Sequence, residues 1–176
     1  MENKIGEIIY KTKVLSSLEK VFCDEECIAE ETKRGSMLLN ERFSFQLAFV
    51  IEGERLDDVS FSINSKIKDY VNIRFVENVP SQMPCYHNHD DNILRDKPGL
   101  YPDVLIDMPK SVRLLNKQWR SIWITIDPKC NVKAGNYEIE ISMNQNDLNL
   151  TKDIFNIEII DKKLPEQDLI FTNWFH

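Results

Sequence analysis

Twelve residues, Lys117 to Pro128, restrict the fold of this chain more than any other stretch. They read Lys-Gln-Trp-Arg-Ser-Ile-Trp-Ile-Thr-Ile-Asp-Pro. Alternate side chains of a strand point to opposite faces, so a strand here puts Ile122, Ile124 and Ile126 on one face. Trp119, Ser121, Trp123 and Thr125 share the other. Large apolar groups on both faces mark a central strand that is covered on each side. Beyond Pro128, Gly135-Asn136-Tyr137-Glu138-Ile139-Glu140-Ile141 has the alternation of a half-buried strand. The two predict an antiparallel unit joined through Lys129 to Ala134.

Period two recurs elsewhere. Phe43, Phe45, Leu47, Phe49 and Ile51 alternate with Arg42, Ser44, Gln46, Ala48 and Val50, the clearest half-buried strand in the chain, and Gly53 ends it. Glu7 to Ser16 predicts a first strand, with weak helical competition from Leu15 to Phe22. Asp24 to Lys33 is acidic and reads as loop. Val59-Phe61-Ile63, Val71-Ile73-Phe75, Ser111 to Leu115, Leu148 to Thr151 and Asp153 to Ile160 complete eight or nine short strands. From Val79 to Pro109 the period lapses, and five prolines fall there: Pro80, Pro84, Pro98, Pro102 and Pro109. An unstructured run of that length inside a compact domain is commonly functional. The expected fold is all-β, an immunoglobulin-like antiparallel β-sandwich with one long irregular loop. Ile122, Ile124, Phe45, Leu47, Ile139 and Ile141 are expected between its sheets.

At 176 residues and 42% apolar, the chain can bury one sizeable core. Its net charge of −7 argues against a nucleic-acid partner, which calls for a basic face. No apolar run of about 18 residues is present to span a membrane, so no membrane partner is expected. The first residues, Met1 to Glu7, are acidic where a secretory signal needs an apolar stretch, so the expected location is cytoplasmic. Cys23, Cys27, Cys85 and Cys130 are too few for a disulfide scaffold, and Cys23 and Cys27 lack the CxxC spacing of redox and zinc sites.

Cys85, His87, His89 and Asp91 alternate, and all are zinc-ligand types, but extended spacing of about 6.6 Å per two residues holds ligands apart. They read as a self-bonded loop, with no metal and no cofactor expected. Trp119 and Trp123 share a strand face. They are either core or a domain interface, or a platform on which sugar rings stack, burial being the commoner fate of large aromatics. Carboxylate pairs such as Asp24-Glu25, Asp57-Asp58 and Asp90-Asp91 are what 29 acidic residues produce by chance. No catalytic residue is assigned.

An ordered set of short tracts carries a likeness. It runs through Leu18-Glu19-Lys20-Val21-Phe22, Glu41-Arg42-Phe43-Ser44-Phe45-Gln46, Asp90-Asp91-Asn92, Leu94-Arg95 and Pro98-Gly99-Leu100-Tyr101-Pro102-Asp103. It continues with Arg120 to Thr125, Ala134-Gly135-Asn136-Tyr137, Leu164-Pro165-Glu166-Gln167 and Thr172-Asn173-Trp174-Phe175-His176. The set resembles the amino-terminal β-sandwich of glycoside hydrolase family 123-like proteins, the domain of unknown function 4091 group, a bacterial type. Cys23 departs from the proline of that pattern and Ile93 from its tyrosine.

The resemblance implies a non-catalytic module that precedes a (β/α)-barrel with β-N-acetylgalactosaminidase-like activity. The catalytic Asp-Glu pair then lies in the barrel and is not Asp24-Glu25. Residues 1–163 become the sandwich and 164–176 the linker into a barrel that this chain lacks. The barrel is the expected partner, facing the segment from Pro84 to Pro109 through Tyr101, Asp103, Asp91 and Arg95, and through Trp174 and Phe175. The rival reading is an independent carbohydrate-binding module using Trp119, Trp123 or Tyr101, and a metal-dependent enzyme at His87 and His89 is the weakest.

Overall fold

The computed structural model describes residues 2–5, 8–83, 85–89, 91–146 and 148–166. In chain order its strands are β1 (Glu2–Ile5), β2 (Ile8–Ser16), β3 (Arg34–Leu38), β4 (Phe43–Glu52), β5 (Leu56–Asn64) and β6 (Val71–Ser81). They continue with β7 (Gly99–Asp107), β8 (Val112–Leu114), β9 (Arg120–Ile126), β10 (Gly135–Gln145) and β11 (Leu148–Ile160). A 3₁₀ turn, Lys68–Tyr70, precedes β6. Six strands make one sheet in the order β1-β2-β4-β9-β6-β7, and five make the other in the order β3-β11-β10-β5-β8. The protein is an all-β sandwich of two sheets.

The core lies where the two inner faces meet. Phe45, Leu47, Phe49 and Ile51 of β4 and Ile122, Ile124 and Ile126 of β9 enter it from the six-stranded sheet. Ile139, Ile141 and Met143 of β10 and Phe155, Ile157 and Ile159 of β11 meet them from the other. All six residues expected between the sheets are buried there. Sequestering each such side chain contributes about 1.5–3 kcal/mol. Gly35 of β3 lets this layer close, because a Cβ there would stand 2.5 Å from Cζ of Phe43 and 3.1 Å from Cζ of Phe155.

Several local expectations change. The Trp-containing strand and the Gly135 strand are not a hairpin, since β9 sits between β4 and β6 while β10 pairs with β5 and β11. Residues 127–134 cross from one sheet to the other. Strand β4 is buried on both faces, not one, because Gln46, Ala48 and Val50 are covered as well. The sandwich is not wholly antiparallel, since β3 runs parallel to β11 with Arg34 opposite Asn156. The two strands expected between Leu148 and Ile160 are one of 13 residues. The long irregular loop is shorter than expected, because β7 pairs with β6 along most of its length. A bulge between Glu77 and Asn78 and Pro102 within β7 blur its period.

Asp153 of β11 is half-buried beside Thr12 and Thr151, and its Oδ2, itself buried, finds no hydrogen-bond partner among the described residues. Burial pushes its carboxyl up, against a smaller downward pull from the two threonine hydroxyls. The folded protein thus binds this proton at a pH where the unfolded chain has released it. The group's contribution to stability is present at low pH and is lost as pH rises through the folded titration. Asp153→Asn is therefore expected to raise the unfolding free energy at pH 7 by about 1 kcal/mol. The gain should vanish below the ordinary aspartate range of about 3.9. Urea midpoints across pH check both halves, and a variant equally stabilised at every pH contradicts the assignment.

Candidate functional site

Two surface features of the six-stranded sheet have the chemistry of a binding site, and the first depends on the chain between β2 and β3. After Ser16 this segment folds back over the outer face of the sheet. Gln46 fixes it there, donating from Nε2 to the carbonyls of Ser16 at 3.0 Å and Glu19 at 2.8 Å and accepting from Ser121 Oγ at 3.1 Å. Val21 and Cys27 then close over Leu15, Ala48, Val50 and Trp119 as a second apolar cluster. Lys13 Nζ donates to the carbonyl of Cys27 at 2.5 Å, and Trp119 Nε1 donates to Glu26 Oε2 at 3.4 Å. Burial pushes the thiols of Cys23 and Cys27 up, and all four cysteines are free.

Phe22, carried by this cover, reaches the first feature. There Arg95 lies between rings, its guanidinium carbon 5.0 Å from the centroid of Phe22 and 5.3 Å from that of Tyr101. The two rings meet edge to face at 5.6 Å. Both terminal nitrogens of Arg95 donate to Asp24, each at 2.7 Å, and Glu25 stands 3.6 Å away. The fork geometry of guanidinium and carboxylate gives such a pair its directionality. Asp24 is held below the usual carboxylate range, by the Arg95 hydrogen bonds first, and Arg95 is pushed higher still by Asp24. The Tyr101 hydroxyl donates to the carbonyl of Lys97 at 2.6 Å, and burial pushes its phenol up. A Cβ at Gly99 would come 2.5 Å from Arg95 Nη2, so a larger residue there would displace the guanidinium.

A hollow of about 430 Å³ opens next to this knot. Phe22, Val79, Ile93, Leu94, Tyr101 and Pro102 line it, with Lys20, Ser81, Arg95 and Asp103 as polar groups. Leu94 is 75% exposed, and Tyr86 and Met83 nearby in sequence are also mostly exposed. Contiguous exposed apolar surface with a polar edge is typical of a protein contact.

The structure thus brings Tyr101, Arg95 and Asp103 to one hollow. Asp91 is exposed and does not line it. Trp174 and Phe175 lie outside the described residues. Trp119 is 2% exposed beneath its own chain, so its ring has no face to offer a sugar. Trp123 is half-buried and lines an open groove. Among the described residues no group of three or more His, Cys, Asp and Glu side chains can hold a metal ion, and His87 and His89 are exposed. No helix among them is long and apolar enough to cross a membrane. Sequence reasoning missed Phe22, Asp24 and Lys20 as site residues. Phe22 closes a short apolar tract after a strand, which was a usable signal, but nothing local links it to an arginine far along the chain.

The fold and these two surfaces define a two-sheet β-sandwich with an apolar hollow near one end and a polar groove on one outer face. No protein-family model matches the chain, and no curated protein matches it. Among solved structures it is similar to a family 123 glycoside hydrolase from Clostridium perfringens, studied for glycolipid glycan hydrolysis, with a TM-score of 0.67 at 12% identity. The alignment covers 89% of this chain and 28% of that one. AvmM, which catalyses macrocyclization in alchivemycin A biosynthesis, aligns over 94% of this chain and 99% of its own, but at 6% identity and a TM-score of only 0.42. The first likeness is one of fold, and the chain spans little more than a quarter of the hydrolase it matches.

Proposed function

We propose that this chain is a non-catalytic β-sandwich module of a glycoside hydrolase of β-N-acetylgalactosaminidase-like type. It packs against a (β/α)-barrel of the same polypeptide and supports it. The observation that carries the reading is the alignment of most of this chain with a minor share of a family 123 hydrolase. The hollow at Arg95 and Tyr101 supports it as the docking surface, being apolar at its centre and edged by Lys20 and Asp103. Tyr101 and Phe22 supply contact area, and the Asp24–Arg95 pair keeps both rings in place. Catalysis belongs to the barrel in this reading.

The test has two parts. The pure chain is expected to show no turnover of aryl N-acetylgalactosaminides. Turnover that one carboxylate substitution within residues 1–176 abolishes would overturn the reading. Hydrogen exchange is then compared between this chain alone and the chain joined to its downstream barrel. Slower exchange in the longer protein is expected across residues 20–25 and 84–109. Protection appearing instead near Asp57 and Asn144, or a reading frame without a barrel, sinks the proposal.

A further inference from the structure

We propose that the open half of the outer face of the six-stranded sheet binds a saccharide, one pyranose ring of which stacks on the indole of Trp123. The groove there measures about 570 Å³. It is built on three central strands, β4, β9 and β6, whose registers align two rows of side chains. Gln46, Trp123 and Arg74 form one row, and Ser44, Thr125 and Asn72 form the next. Rigid strands hold such a constellation more closely than a loop does.

The chemistry around the ring is that of sugar recognition. A pyranose presents an apolar C–H face and a girdle of hydroxyls, and the negative face of an indole attracts the first. The girdle needs donors and acceptors set beside the ring. Ser44 Oγ and Thr125 Oγ1 lie 3.1 Å apart and can each turn outward to a ligand. Asp127 holds Arg42 with Oδ2 at 2.9 Å from Nη2, fixing a carboxylate at the groove's edge. Arg74 is exposed and has no ion-pair partner among the described residues, leaving its planar fork of donors available.

Competing occupants fit less well. Among the described residues, none of the large exposed apolar side chains lines this groove, whereas a protein contact wants an apolar centre. Asp69 and Asp127 in the lining, on a chain of net charge −7, disfavour a nucleic-acid backbone. Trp119, just before β9, and Trp123, within it, also differ in treatment. The chain covers Trp119 with its own β2–β3 segment and leaves Trp123 open, although both project from the same face. This site is separate from the Arg95 hollow and does not rest on the docking of a barrel.

Oligosaccharides of three kinds, N-acetylhexosamine, neutral hexose and uronic acid, are titrated into the pure chain. The Trp123 indole N–H resonance and tryptophan fluorescence report binding. Saturable shifts with at least one kind are expected, at a Kd on the order of 1 mM. Trp123→Ala and Arg74→Gln should each weaken that binding about tenfold or more, and Tyr101→Ala, in the other hollow, should leave it unchanged. Arg74 is exposed, so its variant tests the site even if Trp123→Ala folds poorly by circular dichroism. No saturable shift with any of the three, or affinity unchanged in Arg74→Gln, overturns the proposal. The barrel reading is tested by exchange at residues 84–109, so the two can fail separately.

Discussion

Phe155→Ala is expected to lower the unfolding free energy by about 3–5 kcal/mol, the range for truncating a buried aromatic. Phe155 is fully buried on β11 of the five-stranded sheet. Its ring stacks on Phe45 of the opposite sheet at 4.0 Å between centroids and 13° between planes. Phe43 leans on it at 5.7 Å, so one ring ties three positions across the sandwich. Removing it leaves a cavity that rigid strands on both sides cannot fill, which is why the transfer and cavity costs add. Phe155→Leu keeps most of the volume and should cost less than about 1.5 kcal/mol. Chemical denaturation of both variants decides the matter. Equal losses in the two would mean that ring stacking, not volume, dominates, and no loss in either would mean that the sheets are not joined there.

Arg95→Ala is expected to raise hydrogen-exchange rates about tenfold or more across residues 20–28 and 94–102, while the central strands β4 and β9 stay protected. Among the described residues, the Arg95 guanidinium contacts Phe22, Tyr101 and Asp24 together. Without it, Asp24 loses both short hydrogen bonds and the two rings lose the cation between them. Arg95→Lys should rescue little, since an ammonium offers neither the planar stack nor the two-pronged pairing. The same knot has a pH signature. Asp24 is held below its ordinary range, so its share of stability is present at neutral pH and is lost as pH falls through its folded titration. Acidification should therefore loosen this end in the wild type and leave an already loosened Arg95→Ala largely unchanged. Local exchange in the variant indistinguishable from wild type at pH 7 would show that the knot is not what orders the two segments.

The sequence announced the core far better than the surface. Ile122, Ile124 and Ile126 and the Phe43 to Ile51 alternation name their buried faces because period two is a local property of the backbone. Which strand lies beside which is not local, and so β9 and β10 were read as a hairpin although each is central to a different sheet. The second burial of β4 was hidden for a related reason. Its cover comes from an acidic, aperiodic stretch whose useful residues, Val21 and Cys27, are isolated apolar positions. β7 was lost to Pro102 and the bulge opposite it, both of which interrupt alternation at a sheet edge. At the Arg95 hollow, Tyr101, Arg95 and Asp103 could be read from one aperiodic segment. Phe22 and Asp24 could not, since their role depends on a fold-back that Gln46 fixes from a third place in the chain.

The parallel pairing of β3 with β11 sets an order of events during synthesis. β3 is the edge strand beside β11, and its partners Asn156 to Ile160 are made more than a hundred residues later. At 5–20 residues per second the ribosome needs roughly 6–24 s to travel from one to the other. Through that interval Gly35 and Met37 have no strand to lie against, and the ring of Phe45 waits for Phe155. The nascent chain can form the β2–β4 pair early, but the second sheet closes only once the last strand has emerged. Pairing between such distant segments folds slowly by nature, in milliseconds to seconds even for a finished chain. Newly made copies thus spend a translation-limited period with β3 unpaired and Phe45 uncovered by Phe155, an interval in which that apolar face is open to association.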